Sequence, residues 1–297
     1  MPRRITQSVA LLAAVTLVCL CSSARADLLL GLNSHDIDQA DGSAISDWTS
    51  GFGDASQTVP IRQPTYLASS AALGGHPAVA LDNAPVGTDG SGMSTSVTGL
   101  SNTYTIMTLY ASHFTDDSAA RVVQGGNGVF NAQVGAAANN WLLGPYGGTH
   151  RMYDGNWIFT NNNVTTPVIL TALGSPAIAN ELYFNGGLAG TNANNNAPNF
   201  VGIGTEGAWA EPADSDLGAV LVFDTRLTND ERVGVEHFLA AAFGLDGFDA
   251  TPAQQAAGVE ALDGFLVIPE PGSISLFVLG ISGLIAVGFR RRRRAGK

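Results

Sequence analysis

The chain has 297 residues, of which 45% are hydrophobic and only 13% are charged, and its formal net charge is −11. The segment 27–268 carries 24 carboxylates against five arginines and no lysine, so its own charge is near −19. This charge excludes nucleic acid and anionic membrane surfaces as partners, and the length of the segment suits one large domain.

The N-terminus has the pattern of a secretory signal peptide. Two arginines near the start precede an apolar stretch over 9–20. Ala24 and Ala26 then supply the small residues that signal peptidase recognises, which predicts cleavage before Asp27. Both cysteines of the chain lie within 1–26, so the exported part uses neither a disulfide nor a thiolate metal site.

Short runs rich in β-branched and aromatic residues dominate the exported body. Turn-forming residues separate them, and Asn185 with Gly186 predicts a tight hairpin turn because both residues tolerate positive φ. Many short strands with turns between them are typical of a β-sandwich. The clearest predicted strands cover 103–110, 168–173, 181–184, 200–203 and 219–223.

One helix is predicted after residue 228. Thr228 and Glu231 form a capping box at its start, and Gly244 suits a left-handed cap at its end. The apolar residues between them share one helical face, which we expect to pack on the sandwich through its Phe238 side. These residues are Val235, Phe238, Leu239 and Ala242.

The last 29 residues combine three signals. Pro269, Glu270 and Pro271 precede an uncharged, mostly apolar run over 273–289, and a basic cluster follows the run. A helix of that length reaches about 25 Å, the low end of what crosses a bilayer. The basic flank predicts a cytoplasmic C-terminus with the body outside. The cluster consists of Arg290, Arg291, Arg292, Arg293 and Arg294.

This order of parts resembles the PEP-CTERM sorting signal of Gram-negative and related bacteria. The resemblance implies recognition by a membrane protease-transpeptidase of the exosortase type, with a transient anchor in the inner membrane. Proteins with this signal often accompany exopolysaccharide production. The expected final location is therefore the cell surface or the extracellular matrix.

Three stretches of the body resemble the laminin-G-like (LamG-like), concanavalin A-type jelly rolls. The first contains Trp48, Pro64-Thr65-Tyr66 and Gly75-His76-Pro77-Ala78-Val79. The second is Leu182-Tyr183-Phe184-Asn185-Gly186, and the third contains Val220, Val222-Phe223-Asp224, Leu227, Glu231-Arg232 and Gly244-Leu245. The resemblance implies an all-β jelly-roll sandwich with one C-terminal helix.

The predicted domain plan has four parts. They are a signal peptide over 1–26, a LamG-like β-sandwich over 27–246, a linker over 247–268 and the sorting signal over 269–297. Within the sorting signal, the membrane-spanning helix is expected over 273–289.

No catalytic pattern is complete in the sequence. A retaining glucanase needs two carboxylates about 5 Å apart, and the Glu-x-Asp-x-x-Glu pattern of the relevant glucanases is absent. Asp214 and Asp216 alternate as residues on one face of a strand would, but we interpret them as loop residues. The sequence therefore predicts a non-enzymatic protein, and a polysaccharide hydrolase is kept as an alternative.

A calcium loop is the one candidate metal site, and no other cofactor is predicted. Asp36, Asp38 and Asp41 supply carboxylates, but their spacing is one residue longer than in the usual loop and no bidentate glutamate follows. The alternative is an acidic loop with Asp41 in a turn. The five histidines are scattered without the spacing of a zinc site.

The densest cluster of aromatic and amide side chains lies within 139–159. Exposed rings stack on sugar faces while polar side chains bind hydroxyls, so this cluster is the candidate carbohydrate site. The alternative is that these rings fill the core of the sandwich. The candidate binding residues are Trp141, Tyr146, Tyr153 and Trp157.

The leading functional hypothesis is an exported, non-enzymatic surface or matrix protein that binds, or is embedded in, exopolysaccharide. Its predicted partners are signal peptidase, an exosortase-type enzyme and extracellular polysaccharide. A structural or protein-adhesion module without a small-molecule ligand is the first alternative, and the hydrolase is the second.

Overall fold

The computed structural model describes residues 26–82, 90–113, 120–125, 140–162, 164–194, 196–198, 200–204, 213–262 and 265. The strands are, in chain order, β1 Leu28–Asn33, β2 Asp47–Thr49, β3 Asp54–Ser56, β4 Thr65–Leu67, β5 Ala78–Leu81, β6 Gly92–Thr98, β7 Tyr104–Ser112, β8 Val123–Gly125, β9 Trp141–Tyr146, β10 Thr149–Tyr153, β11 Trp157–Phe159, β12 Val168–Gly174, β13 Asn180–Phe184, β14 Gly187–Asn192, β15 Phe200–Gly204 and β16 Ser215–Phe223. The α-helices are α1 Asn229–Ala242 and α2 Pro252–Ala261, and two short 3-10 helices cover Ser34–Asp36 and Pro60–Arg62.

The strands form two antiparallel sheets of eight strands each. The first sheet has the order β14-β13-β12-β7-β16-β5-β4, and β1 also pairs with β16. The second sheet has the order β11-β10-β9-β8-β15-β6-β3-β2. The β-sandwich predicted from the sequence is therefore confirmed, and the sequence-predicted strands correspond to β7, β12, β13, β15 and β16.

Strand β16 is the centre of the first sheet. It pairs with β7 along its length, with β5 through residues 215–217 and with β1 through residues 219–223. All nine residues of β16 and all nine of β7 are buried. Such continuous burial shows that this part of the sheet is covered on both faces.

Two hydrophobic cores cover those two faces. The inner core combines residues of both sheets, and its largest fully buried side chains include Trp48, Tyr104, Tyr110 and Trp141. The outer core lies between the first sheet and the helices, where Phe223 meets Val235, Leu239 and Phe243. The protein is thus a sandwich with a helical layer on one side.

The predicted hairpin turn is confirmed between β13 and β14. Asn185 and Gly186 have φ values of 47° and 80°, the left-handed conformations that a two-residue hairpin needs. The Oδ1 atom of Asn185 accepts a hydrogen bond from the N–H of Ile169 at 2.8 Å. This contact ties the turn to the neighbouring strand β12.

Helix α1 has the predicted caps. The Thr228 side chain accepts from the N–H of Glu231, and the Glu231 carboxylate accepts from the N–H of Thr228. Gly244 has φ +60° after the last turn, and the N–H of Leu245 donates to the carbonyl of Ala240 at 2.8 Å. These bonds satisfy backbone groups that a helix end leaves unpaired.

Part of the segment predicted as a linker, 247–268, is helical instead, so the C-terminal region has two helices and not one. Helix α2 begins at a capping box between Thr251 and Gln254. It packs on α1 where Gly234 faces Gly258. The apolar pattern of the sequence did not predict this helix, because α2 contacts α1 through the backbone of glycines and not through an apolar stripe.

Of the predicted signal peptide over 1–26, only Ala26 lies within the described residues, where it is buried. The predicted span over 273–289 lies outside them. Within the described part of the chain, no helix combines the length and the apolar character that crossing a bilayer requires.

We predict that Gly234→Ala destabilises the protein although alanine is the better helix former. A Cβ atom at this position would overlap the Gln254 carbonyl and lie 2.7 Å from the N atom of Gly258, so the helices must separate. We expect the free energy of unfolding, measured by urea denaturation, to fall by about 1–3 kcal/mol. Ala256→Ser, at an exposed position of α2, is the control, and an unchanged or raised stability of Gly234→Ala would contradict the tight contact.

Candidate functional site

An aromatic patch lies on the outer face of the second sheet, at the end formed by β9, β10 and β11. We define it as Tyr146, Arg151, Tyr153, Trp157 and Phe159. Two of its cross-strand pairs are Arg151 with Phe159 and Tyr153 with Trp157. The intervening residues Met152 and Ile158 belong to the inner core, so alternation along the strands turns the patch outward.

The rings of the patch contact one another around Trp157. Its ring centroid lies 4.5 Å from that of Tyr146, 4.8 Å from that of Tyr153 and 6.4 Å from that of Phe159. The Arg151 guanidinium lies 4.5 Å from the Phe159 centroid and 5.6 Å from the Trp157 centroid. These contacts make a preformed surface in which each side chain limits the rotation of the next.

The patch is accessible to a ligand. Phe159 is 42% exposed, and Tyr146, Arg151, Tyr153 and Trp157 are half-buried. The Arg151 side chain is held at its other side, because Nε donates to Thr149 Oγ1 at 2.7 Å and a terminal nitrogen donates to the Gly147 carbonyl at 2.9 Å. Rings fixed in this way are suited to stacking on a flat ligand.

A buried carboxylate anchors the turn between β10 and β11. Asp154 is fully buried, and its Oδ1 accepts from the side-chain amide of Asn192 at 2.6 Å while its Oδ2 accepts from that of Asn180. Asn180 and Asn192 belong to β13 and β14 of the first sheet. The hairpin that carries Tyr153 and Trp157 is therefore bonded to the opposite sheet.

His150 supports β10 from inside the sandwich. Its Nε2 lies 3.0 Å from the Val164 carbonyl, and its Nδ1 lies 2.6 Å from the Tyr110 hydroxyl. Because a carbonyl only accepts, Nε2 donates to it and Nδ1 accepts from Tyr110. Burial lowers the pKa of His150, which keeps the ring neutral.

Trp141 does not belong to the patch, so the prediction that it binds sugar was wrong. Its side chain is fully buried in the inner core, and its Nε1 donates to the Tyr104 hydroxyl at 2.9 Å. The other three candidates, Tyr146, Tyr153 and Trp157, lie together in the patch. Arg151 and Phe159 complete the patch, and the alternation of β10 and β11 is the signal that could have placed them there.

A second polar cluster lies where β7 ends and β16 begins. His113 Nδ1 is 2.7 Å from Asp214 Oδ1, and His113 Nε2 is 3.4 Å from Asp216 Oδ1. Asp216 also accepts a hydrogen bond from the Ser70 hydroxyl. Asp216 lies on β16 and is buried, so the loop interpretation of this residue was wrong, whereas Asp214 precedes the strand.

This cluster forms an ion-paired group. The contact with the Asp216 carboxylate at 3.4 Å and the contact with Asp214 raise the pKa of His113 to about 9, against an opposing effect of burial. Burial raises the pKa of Asp216, but the nearby His113 and the hydrogen bond from Ser70 outweigh it, so the net shift is downward. A carboxyl group kept ionised in this way is poorly suited to act as the general acid of a glycosidase.

The three carboxylates of the calcium candidate lie in different local structures. Asp36 lies in the 3-10 helix Ser34–Asp36, whereas Asp41 Oδ1 accepts from the N–H of Ala68 at 2.8 Å; Asp38 is exposed between them. Across the described ranges, no group of three histidine, cysteine or carboxylate side chains is arranged to hold a metal ion.

Comparison with known families gives a match at the C-terminus. The family described as the PEP-CTERM protein-sorting motif matches residues 267–293. The protein is therefore exported, processed by an exosortase-type system and transiently anchored in the membrane. No curated protein matches the sequence.

Several solved structures resemble the fold at low identity. Domain 4 of a GH43 extracellular arabinanase from Geobacillus stearothermophilus, solved with arabinotriose, is 12% identical with a TM-score of 0.43, and the match covers 69% of this chain and 96% of that domain. The binding domain of Paraclostridial Mosquitocidal Protein 1 is 14% identical with a TM-score of 0.44, over 69% of this chain and 50% of that one. The CBM40 of a Ruminococcus gnavus sialidase, bound to sialyllactose, is 14% identical with a TM-score of 0.39. That match covers 69% of this chain and 96% of the CBM40.

We predict that the contribution of His113 to stability disappears at alkaline pH. Its pKa of about 9 in the folded protein lies above the ordinary value of 6.5, so the stabilisation is complete below pH 6.5 and is lost as the pH rises through about 9. The difference in unfolding free energy between wild type and His113→Gln should therefore shrink between pH 6.5 and 10, measured by urea denaturation. A difference that stays constant would show that the histidine is not charged in the fold.

We predict that Trp141→Ala lowers stability by about 3–5 kcal/mol, because it leaves a cavity in the inner core. Trp157→Ala should cost less, since that side chain is half-buried. Thermal unfolding of both variants compares the two positions directly. Equal losses would contradict the assignment of one tryptophan to the core and the other to the surface.

Proposed function

We propose that the protein is a non-enzymatic surface or matrix protein whose sandwich binds extracellular polysaccharide through the aromatic patch. The sorting motif supports export of the body to the outside of the membrane. During sorting, the arginine cluster lies on the cytoplasmic side. The final location is then the cell surface or the extracellular matrix.

The observation that carries the proposal is the cluster of three aromatic rings around Trp157, turned to solvent on one face of a sheet. Sugar rings present C–H faces that pack on aromatic rings, and their hydroxyls require polar partners at the edge. Asn156 is exposed at the turn beside Trp157, and Arg151 lies among the rings. The patch thus offers both kinds of contact at a single place.

The negative charge of the body favours a neutral polysaccharide over an acidic one as the ligand. With a net charge near −19 over 27–268, the body repels polyanionic chains at low ionic strength. Stacking on aromatic rings does not depend on ligand charge. Binding to a neutral polymer should therefore change little with salt, whereas residual binding to an acidic polymer should increase as salt screens the repulsion.

We predict that Trp157→Ala weakens polysaccharide binding by the 27–265 fragment at least fivefold. This fragment includes α2 and Phe265 because both pack on the body. Affinity electrophoresis in gels that contain neutral or acidic fractions of the bacterium's own extracellular polysaccharide measures the dissociation constant. Tyr153→Ala should act in the same direction because its ring contacts Trp157.

Ile61→Ala is the matched control, because Ile61 is 75% exposed and lies outside the patch. If wild type and Trp157→Ala bind every fraction equally, the patch is not the site. If the wild-type protein binds none of the fractions, the alternative of a structural or protein-adhesion module is favoured. Shortening of the polymer during the assay would instead favour a hydrolase.

A further inference from the structure

Phe265 is held against the first sheet. Its side chain is only 7% exposed and belongs to the outer core. Its ring makes an edge contact with Phe52 at 5.9 Å between centroids, and its N–H donates to the Leu262 carbonyl at 2.7 Å. The chain is therefore held at residue 265 both by packing and by a backbone bond.

The Phe265 ring packs against the backbone of Gly31. A Cβ atom at position 31 would come within 2.9 Å of the Phe265 ring, so the ring lies directly on the backbone of β1. The N–H of Gly31 donates to the Phe52 carbonyl at 2.8 Å, which brings the two aromatic residues to the same spot. The site is built from three separate parts of the chain.

The sorting motif begins very close to this anchor. The matched motif starts at residue 267, two residues after Phe265, and an extended residue spans at most about 3.6 Å. The start of the motif is therefore within about 7 Å of the anchor, and Pro269 is within about 14 Å. An enzyme that engages the start of the motif must work beside the folded sandwich.

Enzymes that cut or transfer a chain act on segments that are free of burial and backbone bonding. A chain held at residue 265 leaves them little free length before the motif. We propose that the docked Phe265 limits access of the sorting enzyme to the motif, and that processing requires this side chain to leave its site on Gly31. The proposal depends on the sorting motif and not on polysaccharide binding.

The size of the effect follows from the burial of one aromatic side chain. Burying a phenylalanine favours the docked state about tenfold to a hundredfold over the released state. The released state, in which the enzyme can process the chain, would then be occupied for only a small fraction of the time. The processing rate would be lowered in proportion.

The test lengthens the segment between Phe265 and the motif and changes neither of them. Six Gly/Ser residues are inserted between residues 265 and 266 of the full chain, which leaves 267–293 intact. Processing is followed by pulse-chase labelling in the producing bacterium, with the loss of the tail read as a mass shift. We expect the initial rate to rise at least threefold, because the insertion lengthens the chain between the docked Phe265 and the motif.

Phe265→Ala should raise the rate as well, and resistance of the body to added protease shows whether this variant remains folded. The same six residues inserted after Gly42, an exposed turn with no atoms near its Cβ position, control for the general effects of an insertion. An insertion at 265 that leaves the rate unchanged, or lowers it, would overturn the proposal whatever Phe265→Ala does.

Discussion

The structure depends on burying both faces of the first sheet. Its central strands β7 and β16 have no exposed position, so one face must be covered by the second sheet and the other by α1 and α2. Charged side chains buried under this coverage need partners, and on α1 Arg232 pairs with Glu236 at 2.5 Å. The chain has no cysteine beyond residue 21, so packing and pairing, and not disulfides, hold the sandwich together.

The aromatic patch is a product of the same arrangement. Met152 and Ile158 must face the inner core, and this requirement turns their neighbours Tyr153 and Trp157 to solvent. Asp154 then bonds the turn to the first sheet, so the position of the patch is set by contacts on the side of the hairpin away from the ligand. The protein can thus present a preformed surface on a short hairpin at the edge of a sheet.

Local signals were enough to predict α1 and the β13–β14 turn, because a capping box and an Asn-Gly pair fix backbone geometry over a few residues. Helix α2 also begins with a capping box, but the sequence shows no apolar stripe for it, because α2 packs on α1 through Gly258 against Gly234. Trp141 was assigned to the surface because loop-forming residues stand beside it in the sequence. On β9, Trp141 and Tyr146 lie five positions apart and face opposite sides, and only the pairing of β9 shows which side is the core.

The pairing of β1 with β16 affects how the protein can be exported. Strand β1 is the first to emerge when a chain crosses a membrane from its N-terminus, whereas its partner β16 is the last strand to emerge. Pairing over such a sequence distance is slow to form. The first sheet of the exported chain therefore cannot close until residue 223 has crossed and can pair with Leu28.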